Sequence, residues 1–428
     1  MLPSTHPDSE QAPSLKPSLW RNPDYMLLWS GQIISTLGTT ASAIVYPLLI
    51  LALTNSPVAA GLAGAIGSAP YIVFSLPVGA LIDRWDRKRV MILCDIGRGL
   101  TLASIPVAIF FGVLSVWQIY AAAFVEGSLF VFFNLAEVAA LPRVVQKEQL
   151  PQAAAQNEAA FGAAGILGPS LGTFLYQTLG RGAPFLADAI SYAVSVVSLS
   201  FIKTQFQAER SAERHNLRAE IAEGLRWVWH QPLIRYMAFL TGGLNLVGTA
   251  TTLILIILAK KMGALDTQIG LIFSIAGFGG IFGSLVGGQV QKRFKFGQVI
   301  ITTCWVQAIL MPLFLIAPQF FFLGLISGLI YFATPIYNIV QFSYRLALIP
   351  DALQGRVNST FRLIAFGFGP VGAALSGFLL EHFGTTPAVI FFSILGLLLA
   401  LSTALNPHVR HARPIEQAIA GEPLQVGH

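Results

Sequence analysis

The stretch Gly79-Ala80-Leu81-Ile82-Asp83-Arg84-Trp85-Asp86-Arg87-Lys88-Arg89-Val90-Met91 sets four basic and two acidic residues between two long apolar runs, in a chain only 11% charged. A hairpin of membrane-spanning helices holds so much charge in so short a turn only where the turn meets water. The excess of Arg and Lys assigns that turn to the cytoplasmic side.

Over the whole chain, 54% of the 428 residues are hydrophobic, 31 are Phe and 40 are Gly, and the mean hydropathy is +0.68. A soluble fold of this length could not bury so much apolar surface, so the class is an all-α integral membrane protein. The formal charge of +6 does not point to nucleic acid, because the basic residues sit in short loops between apolar segments and form no stripe. Cys94 and Cys304 both fall inside apolar segments and read as small buried hydrophobes; no disulfide, metal or cofactor framework follows. The polar, Pro-rich residues 1–22 read as a disordered cytoplasmic tail without a cleaved signal peptide.

A window of about twenty residues, the length that crosses a hydrocarbon core of about 30 Å, predicts about twelve spans. They run over 24–53, 57–83, 88–112, 115–141, 152–180, 182–203, 232–261, 265–290, 296–317, 320–347, 356–382 and 386–406. Breaker sequences such as Thr54-Asn55-Ser56-Pro57 and Arg181-Gly182-Ala183-Pro184 separate them. Of the 26 Lys and Arg, this layout leaves Arg181, Lys260 and Lys261 near the face opposite the termini, so both termini are expected in the cytoplasm. The chain therefore divides into a six-helix bundle over 23–203, a polar linker over 204–231, a second bundle over 232–406 and a tail over 407–428. In the linker, Leu217, Ile221, Leu225 and Val228 recur at helical spacing and predict an amphipathic helix on the inner membrane surface.

The two bundles repeat. Leu37-Gly38-Thr39 recurs as Val247-Gly248-Thr249, Gly61-Leu62 as Gly270-Leu271, and the Asp83-Arg84 turn in degraded form as Gln291-Lys292-Arg293. Ala140-Leu141-Pro142 aligns with Leu348-Ile349-Pro350, and Gly168-Pro169 with Gly369-Pro370. The offsets are 210, 209, 208, 208 and 201, in order along the chain, which argues for an internal duplication.

The run Gly79-x-Leu81-x-Asp83-Arg84-x-x-Arg87-Lys88 resembles the signature of the major facilitator superfamily between its second and third helices. Gly165-Ile166-Leu167-Gly168-Pro169-Ser170-Leu171-Gly172-Thr173 resembles that family's fifth-helix antiporter motif, with Thr173 where a further Gly is usual. Leu141-Pro142-Arg143, Glu148-Gln149-Leu150-Pro151, Asn157, Ala183-Pro184-Phe185, Asp188, Pro350-Asp351 and Gly355-Arg356-Val357 resemble its macrolide-efflux-like and enterobactin-exporter-like branch. The resemblance covers about residues 20–405 and implies two six-helix bundles, a central cavity lined by the first, fourth, seventh and tenth helices, and antiport.

The motifs also carry physical readings of their own. Gly79 lets its helix approach a neighbour, and Asp83 can pair with Arg84 or Arg87 or meet the N-terminus of a helix from the other bundle, a latch of about 1–3 kcal/mol. Arg87, Lys88 and Arg89 alternatively only fix topology. Gly165, Gly168 and Gly172 keep one face flat and Pro169 removes a donor, which suits either a sliding seal or plain tight packing.

A charge within the bilayer is worth about 2.5–3.5 kcal/mol against insertion and should face the interior. Glu126, near the middle of its span with no basic neighbour in sequence, is the expected proton carrier, the alternative being a hydrogen bond to a neighbouring helix. Asp188, which the resemblance to the branch supports, is the second candidate, the alternative again being an interhelical hydrogen bond. Asp95 and Arg98, three residues apart, are expected to neutralise each other as a structural pair or part of the latch. Glu137, Arg143, Glu158, Arg356 and Arg362 lie near cytoplasmic helix ends, suited to gating salt bridges or snorkelling. Carried onto this chain, the cavity helices of the family suggest Gln32, Thr36, Tyr46, Asn134, Asn245, Thr249, Tyr337, Asn338 and Gln341 as lining, a set suited to an amphipathic small molecule.

These readings converge on a secondary transporter exporting such a molecule by proton antiport, a monomer in the plasma membrane with protons, substrate and lipid as its partners. Uptake by symport is the alternative within transport. A lipid-modifying membrane enzyme is disfavoured, since the intramembrane acids are single and scattered in sequence and no nucleotide-binding loop occurs.

Overall fold

A computed structural model describes residues 19–82, 85–146, 149–207, 217–350 and 353–412. The N-terminal half contains α1 (Pro23–Ala43), α2 (Val45–Thr54), α3 (Pro57–Ile82), α4 (Arg87–Phe110), α5 (Val116–Val144), α6 (Leu150–Thr178) and α7 (Ala183–Phe201). After α8 (Leu217–His230) come α9 (Pro232–Lys261), α10 (Asp266–Arg293), α11 (Phe296–Leu310), α12 (Phe320–Leu348), α13 (Gln354–Gly367), α14 (Gly369–His382), α15 (Thr385–Leu405) and the short α16 (Pro407–Arg410). Twelve spans result among the described residues, each long and apolar enough to cross a bilayer. Their ends fall within three residues of the sequence reading, the largest differences being at Val144 and Arg293.

Two spans are broken, and proline accounts for both breaks. Pro47 has no N–H and its ring crowds the carbonyl of Ala43, so the first span divides at Ile44 into α1 and α2. Pro370 acts likewise on Phe366, dividing the eleventh span at Phe368 into α13 and α14. Pro312 turns the end of α11 into the 3-10 segment Met311–Leu315.

Helix pairing repeats between the halves. α1 packs on α7 and α6 as α9 packs on α15 and α14; α3 packs on α5 as α10 packs on α12; α4 packs on α7 as α11 packs on α15. The seams between halves are mates of one another, α3 against α14 and α10 against α6. Small residues make both possible. A Cβ on Gly61 would stand 2.5 Å from the Ala373 carbonyl of α14, and one on Gly270 2.7 Å from the Pro169 carbonyl of α6. Gly61 and Gly270 are equivalent positions of the sequence repeat, so the duplication visible in residues is the duplication of the interface.

Hydrogen bonds between described residues that join the halves lie towards the face opposite the termini. Ser56 donates to Glu381, the Thr267 N–H to Gln177, and Ser274 to the Ile166 carbonyl, while the Ser170 and Ser274 hydroxyls pair at 2.7 Å. The linker helix α8 packs against α13 and α9. Gly224 and Val228 face the bundle while Leu225 is 46% exposed, so the expected apolar stripe is displaced at Leu225. The side chains of Leu217 and Ile221 lie outside the description.

Candidate functional site

The charged turn between α3 and α4 is braced by its own half. Asp86 caps α4 by accepting from the Arg89 N–H at 3.1 Å. Lys88 donates to the Ser200 and Ile202 carbonyls at 3.2 and 2.6 Å, satisfying acceptors that the end of α7 leaves open. Arg87 donates to the Ala139 and Phe206 carbonyls at 2.9 and 3.2 Å. These basic residues tie helix ends of the N-terminal half to one another, a role beyond topology. Asp83, Arg84, Glu148 and Asp351 lie outside the described residues. The close approach expected at Gly79 is not made: among the described residues nothing stands within 4 Å of a Cβ built there. The tight contact of α3 with α5 is instead at Gly127, where any Cβ would overlap the Gly67 carbonyl.

The fifth-helix motif divides its work between two partners. Gly168 and Gly172 receive Thr40 and Ala41 of α1, leaving no room for a Cβ at either position, whereas Gly165 has open space. Thr173, which replaces the usual glycine, is fully buried, and the space its hydroxyl needs is provided by Gly270 of α10, where a Cβ would overlap it. The small residue has moved across the seam.

Deep in the N-terminal half, α4, α5 and α7 gather the intramembrane charges. Arg98, 3% exposed, donates through Nη2 at 2.7 Å and Nε at 3.2 Å to Glu126 on α5, and lies 3.8 Å from Asp95 one turn earlier. Its guanidinium stacks 4.2 Å from the centre of the Tyr192 ring on α7. The Tyr192 hydroxyl reaches Glu126 at 3.4 Å and Thr39 of α1 at 2.7 Å. Asp188, fully buried one turn before Tyr192, accepts from Ser42 of α1 at 2.5 Å and from Ser191 at 3.1 Å. Gly38 permits this, because a Cβ there would stand 2.6 Å from an Asp188 carboxylate oxygen.

This corrects two expectations. Glu126 has a basic partner, and the acids that are scattered in sequence meet around one arginine. The cause is antiparallel geometry: α4 and α5 form a hairpin, with Arg98 fifteen residues before Val113 and Glu126 thirteen after it. Similar distance from the turn was the available signal. The Asp95–Arg98 pair exists, but Arg98 approaches Glu126 more closely.

The cluster opens on a cavity of about 250 Å3 between the halves. Thr39, Ser42, Tyr46 and Glu126 line it from one half, and Thr249, Thr252 and Leu253 from the other. Its remaining walls are Ala43, Pro47 and Ala123 with small residues of α3 and α14, among them Gly61, Gly64, Gly67 and Ala373. Of the residues singled out in sequence, Tyr46, Glu126 and Thr249 border this cavity. Gln32, Thr36, Asn134, Asn245, Tyr337, Asn338 and Gln341 do not line this cavity. Asn245 donates to the Ala365 carbonyl at 2.8 Å, tying α9 to α13; Tyr337 is buried in the core of its own half, its hydroxyl 2.8 Å from Thr241. Gln341 is buried, Asn338 exposed, and Gln32, Thr36 and Asn134 are half-buried. Of the helix-end charges, Arg356 pairs with Glu223 of α8, and Arg362 lies 5.8 Å from the centre of the Tyr71 ring across the halves. Glu137 is half-buried, and Arg143 and Glu158 are exposed.

Residues 28–369 match the model of the Major Facilitator Superfamily. The chain belongs to that superfamily. Among its superfamily relatives, the "Multidrug efflux pump Tap" of Mycolicibacterium fortuitum is 27% identical over 416 residues, 91% of this chain and 97% of that protein. The "Macrolide efflux protein A" of Streptococcus pyogenes is 24% identical over 403 residues, 92% and 97% of the two chains. Among solved structures, the nucleoside transporter NupG superposes with a TM-score of 0.72 at 13% identity, over 91% of this chain and 100% of that one. A bacterial homologue of the iron transporter ferroportin superposes with a TM-score of 0.63 at 15% identity, over 90% and 99%. At these identities the superpositions establish the major facilitator fold. The macrolide-efflux-like branch is consistent with both sequence relatives.

Proposed function

We propose that this major facilitator protein exports an amphipathic small molecule from the cytoplasm in exchange for protons, by alternating access. The observation that carries the proposal is the Arg98 cluster at the edge of the cavity between the halves. Two carboxyls, Asp95 and Glu126, flank the one guanidinium, and a third, Asp188, is buried behind the Ser42 hydroxyl, so a proton on one of them brings the set closer to neutrality. Glu126 is the member that lines the cavity, with its side chain 19% exposed, and Asp188 reaches the cavity wall through Ser42. A substrate that engages Glu126 or displaces Arg98 from it changes the charge balance of the set, which couples occupancy to proton exchange.

The efflux relatives support export of a bulky organic compound. A volume of about 250 Å3 is below the 300–1,000 Å3 of common ligand pockets, so a larger substrate enters only when α3 and α14 part. Arg87 and Lys88 bracing the helix ends, and Asp83 as a latch, belong to the same reading, as do cytoplasmic termini and a monomeric plasma-membrane transporter. Membership of a transporter superfamily favours transport over the lipid-enzyme alternative, although the acids scattered in sequence lie near one another in the fold.

Everted membrane vesicles test the direction. An inward-acid proton gradient should drive substrate accumulation, and a protonophore should abolish it. Accumulation only in right-side-out vesicles under an inward-directed proton gradient would replace export by uptake.

A further inference from the structure

Away from the charge cluster, one carboxylate bridges the halves at the face opposite the termini. α2 ends at Thr54, Asn55 turns in the left-handed region (φ 53°), and α3 starts at Pro57, leaving its first N–H groups without intrahelical partners. Ser56 covers one of them, its hydroxyl accepting from the Ala59 N–H at 3.1 Å. Glu381, in the last turn of α14 and so on the other half, accepts from the Val58 N–H at 2.9 Å and from the Ser56 hydroxyl. A carboxylate from one half therefore completes the N-cap of a helix in the other, where aligned peptide dipoles and charge-assisted hydrogen bonds favour it. Just inside this cap the backbones of the two helices touch: a Cβ on Gly377 would stand 2.5 Å from the Pro57 carbonyl.

We propose that Glu381 locks the α3–α14 seam at this face, a contact made only when the two helices meet and broken when they part. The contact differs in kind from an ion pair within one half. Lys260 and Asp266, 2.5 Å apart at the same face, both belong to the C-terminal half and can stay together in either state. Glu381 and α3 cannot. The inference rests on alternating access, and on neither the direction of transport nor the proton.

The test uses the full chain in lipid nanodiscs with spin labels at Val113 and Ile316, both exposed at this face on opposite halves. A second pair at Arg89 and Lys292 reports the termini face. Glu381→Gln should raise the population with Val113 and Ile316 far apart about fivefold, while the Arg89–Lys292 distance shortens in the same molecules. Ser56→Ala should shift the populations in the same direction by less, and Asp266→Asn should leave them unchanged. Glu381 is exposed on its helix, and melting curves of the variants separate lost folding from lost locking. Two populations in the parent protein that are identical in Glu381→Gln would overturn the lock and leave alternation standing. A single population in every variant would overturn alternation itself.

Discussion

The two halves share a packing plan and differ in what they bury. Glycines set the backbone contacts in both: Gly127 meets the Gly67 carbonyl in the N-terminal half, and Gly283 meets the Phe332 carbonyl in the C-terminal half, each too closely to admit a Cβ. The charges follow no such repeat. An offset of 209 sets Cys304 against Asp95 and Gln307 against Arg98, and the hydroxyl pair in the C-terminal half, buried Tyr337 with half-buried Thr241, is uncharged. Arg345, the buried cation there, stacks 3.8 Å from the centre of the Phe361 ring. Duplication preserved the parts that let helices approach, and the ionisable chemistry gathered in one copy.

The most damaging way to probe that difference is Arg98→Met, which strands Asp95 and Glu126 beside an apolar side chain. A loss of about 3–5 kcal/mol is expected, read as lost folded yield and a lowered melting temperature in detergent, against less than about 1 kcal/mol for Gln307→Met. Equal losses at the two positions would erase the asymmetry. A second pair should behave alike: Gly127→Val and Gly283→Val each force a backbone shift and are expected to lose about 1–3 kcal/mol. A large difference between them in thermal unfolding would show that the packing plan is not shared. The smallest effect is expected at Gly79→Ala. With open space around it and a helical backbone, the substitution should be neutral or raise stability by up to about 1 kcal/mol.

Fold and site were legible to different depths, for a physical reason. Span positions follow from local hydropathy, and even the repeat was readable, because Gly61 and Gly270 keep the spacing that their two seams require. The proline breaks at Ile44 and Phe368 depend on which carbonyl each ring crowds, and Pro169, inside an unbroken α6, shows that proline alone does not decide. The partner of Glu126 was hidden because Arg98 is remote in sequence and near only across a hairpin. Thr39, Ser42 and Tyr192 were overlooked for a related reason: isolated hydroxyls in apolar helices carry meaning only once their neighbours are known. Family helix positions do not say which face of a helix meets the cleft, and the amides taken from them do not border the cavity beside Glu126. Asn245 and Tyr337 turn inward to their own half.

The central claim is that the acids around Arg98 move the proton, and Glu126→Gln in proteoliposomes tests it most directly. Substrate exchange without a gradient and proton-driven accumulation are measured on the same preparation. The expected result is exchange that persists while proton-driven accumulation and its pH dependence disappear. Accumulation equal to that of the parent protein, with the same pH dependence, would contradict the account.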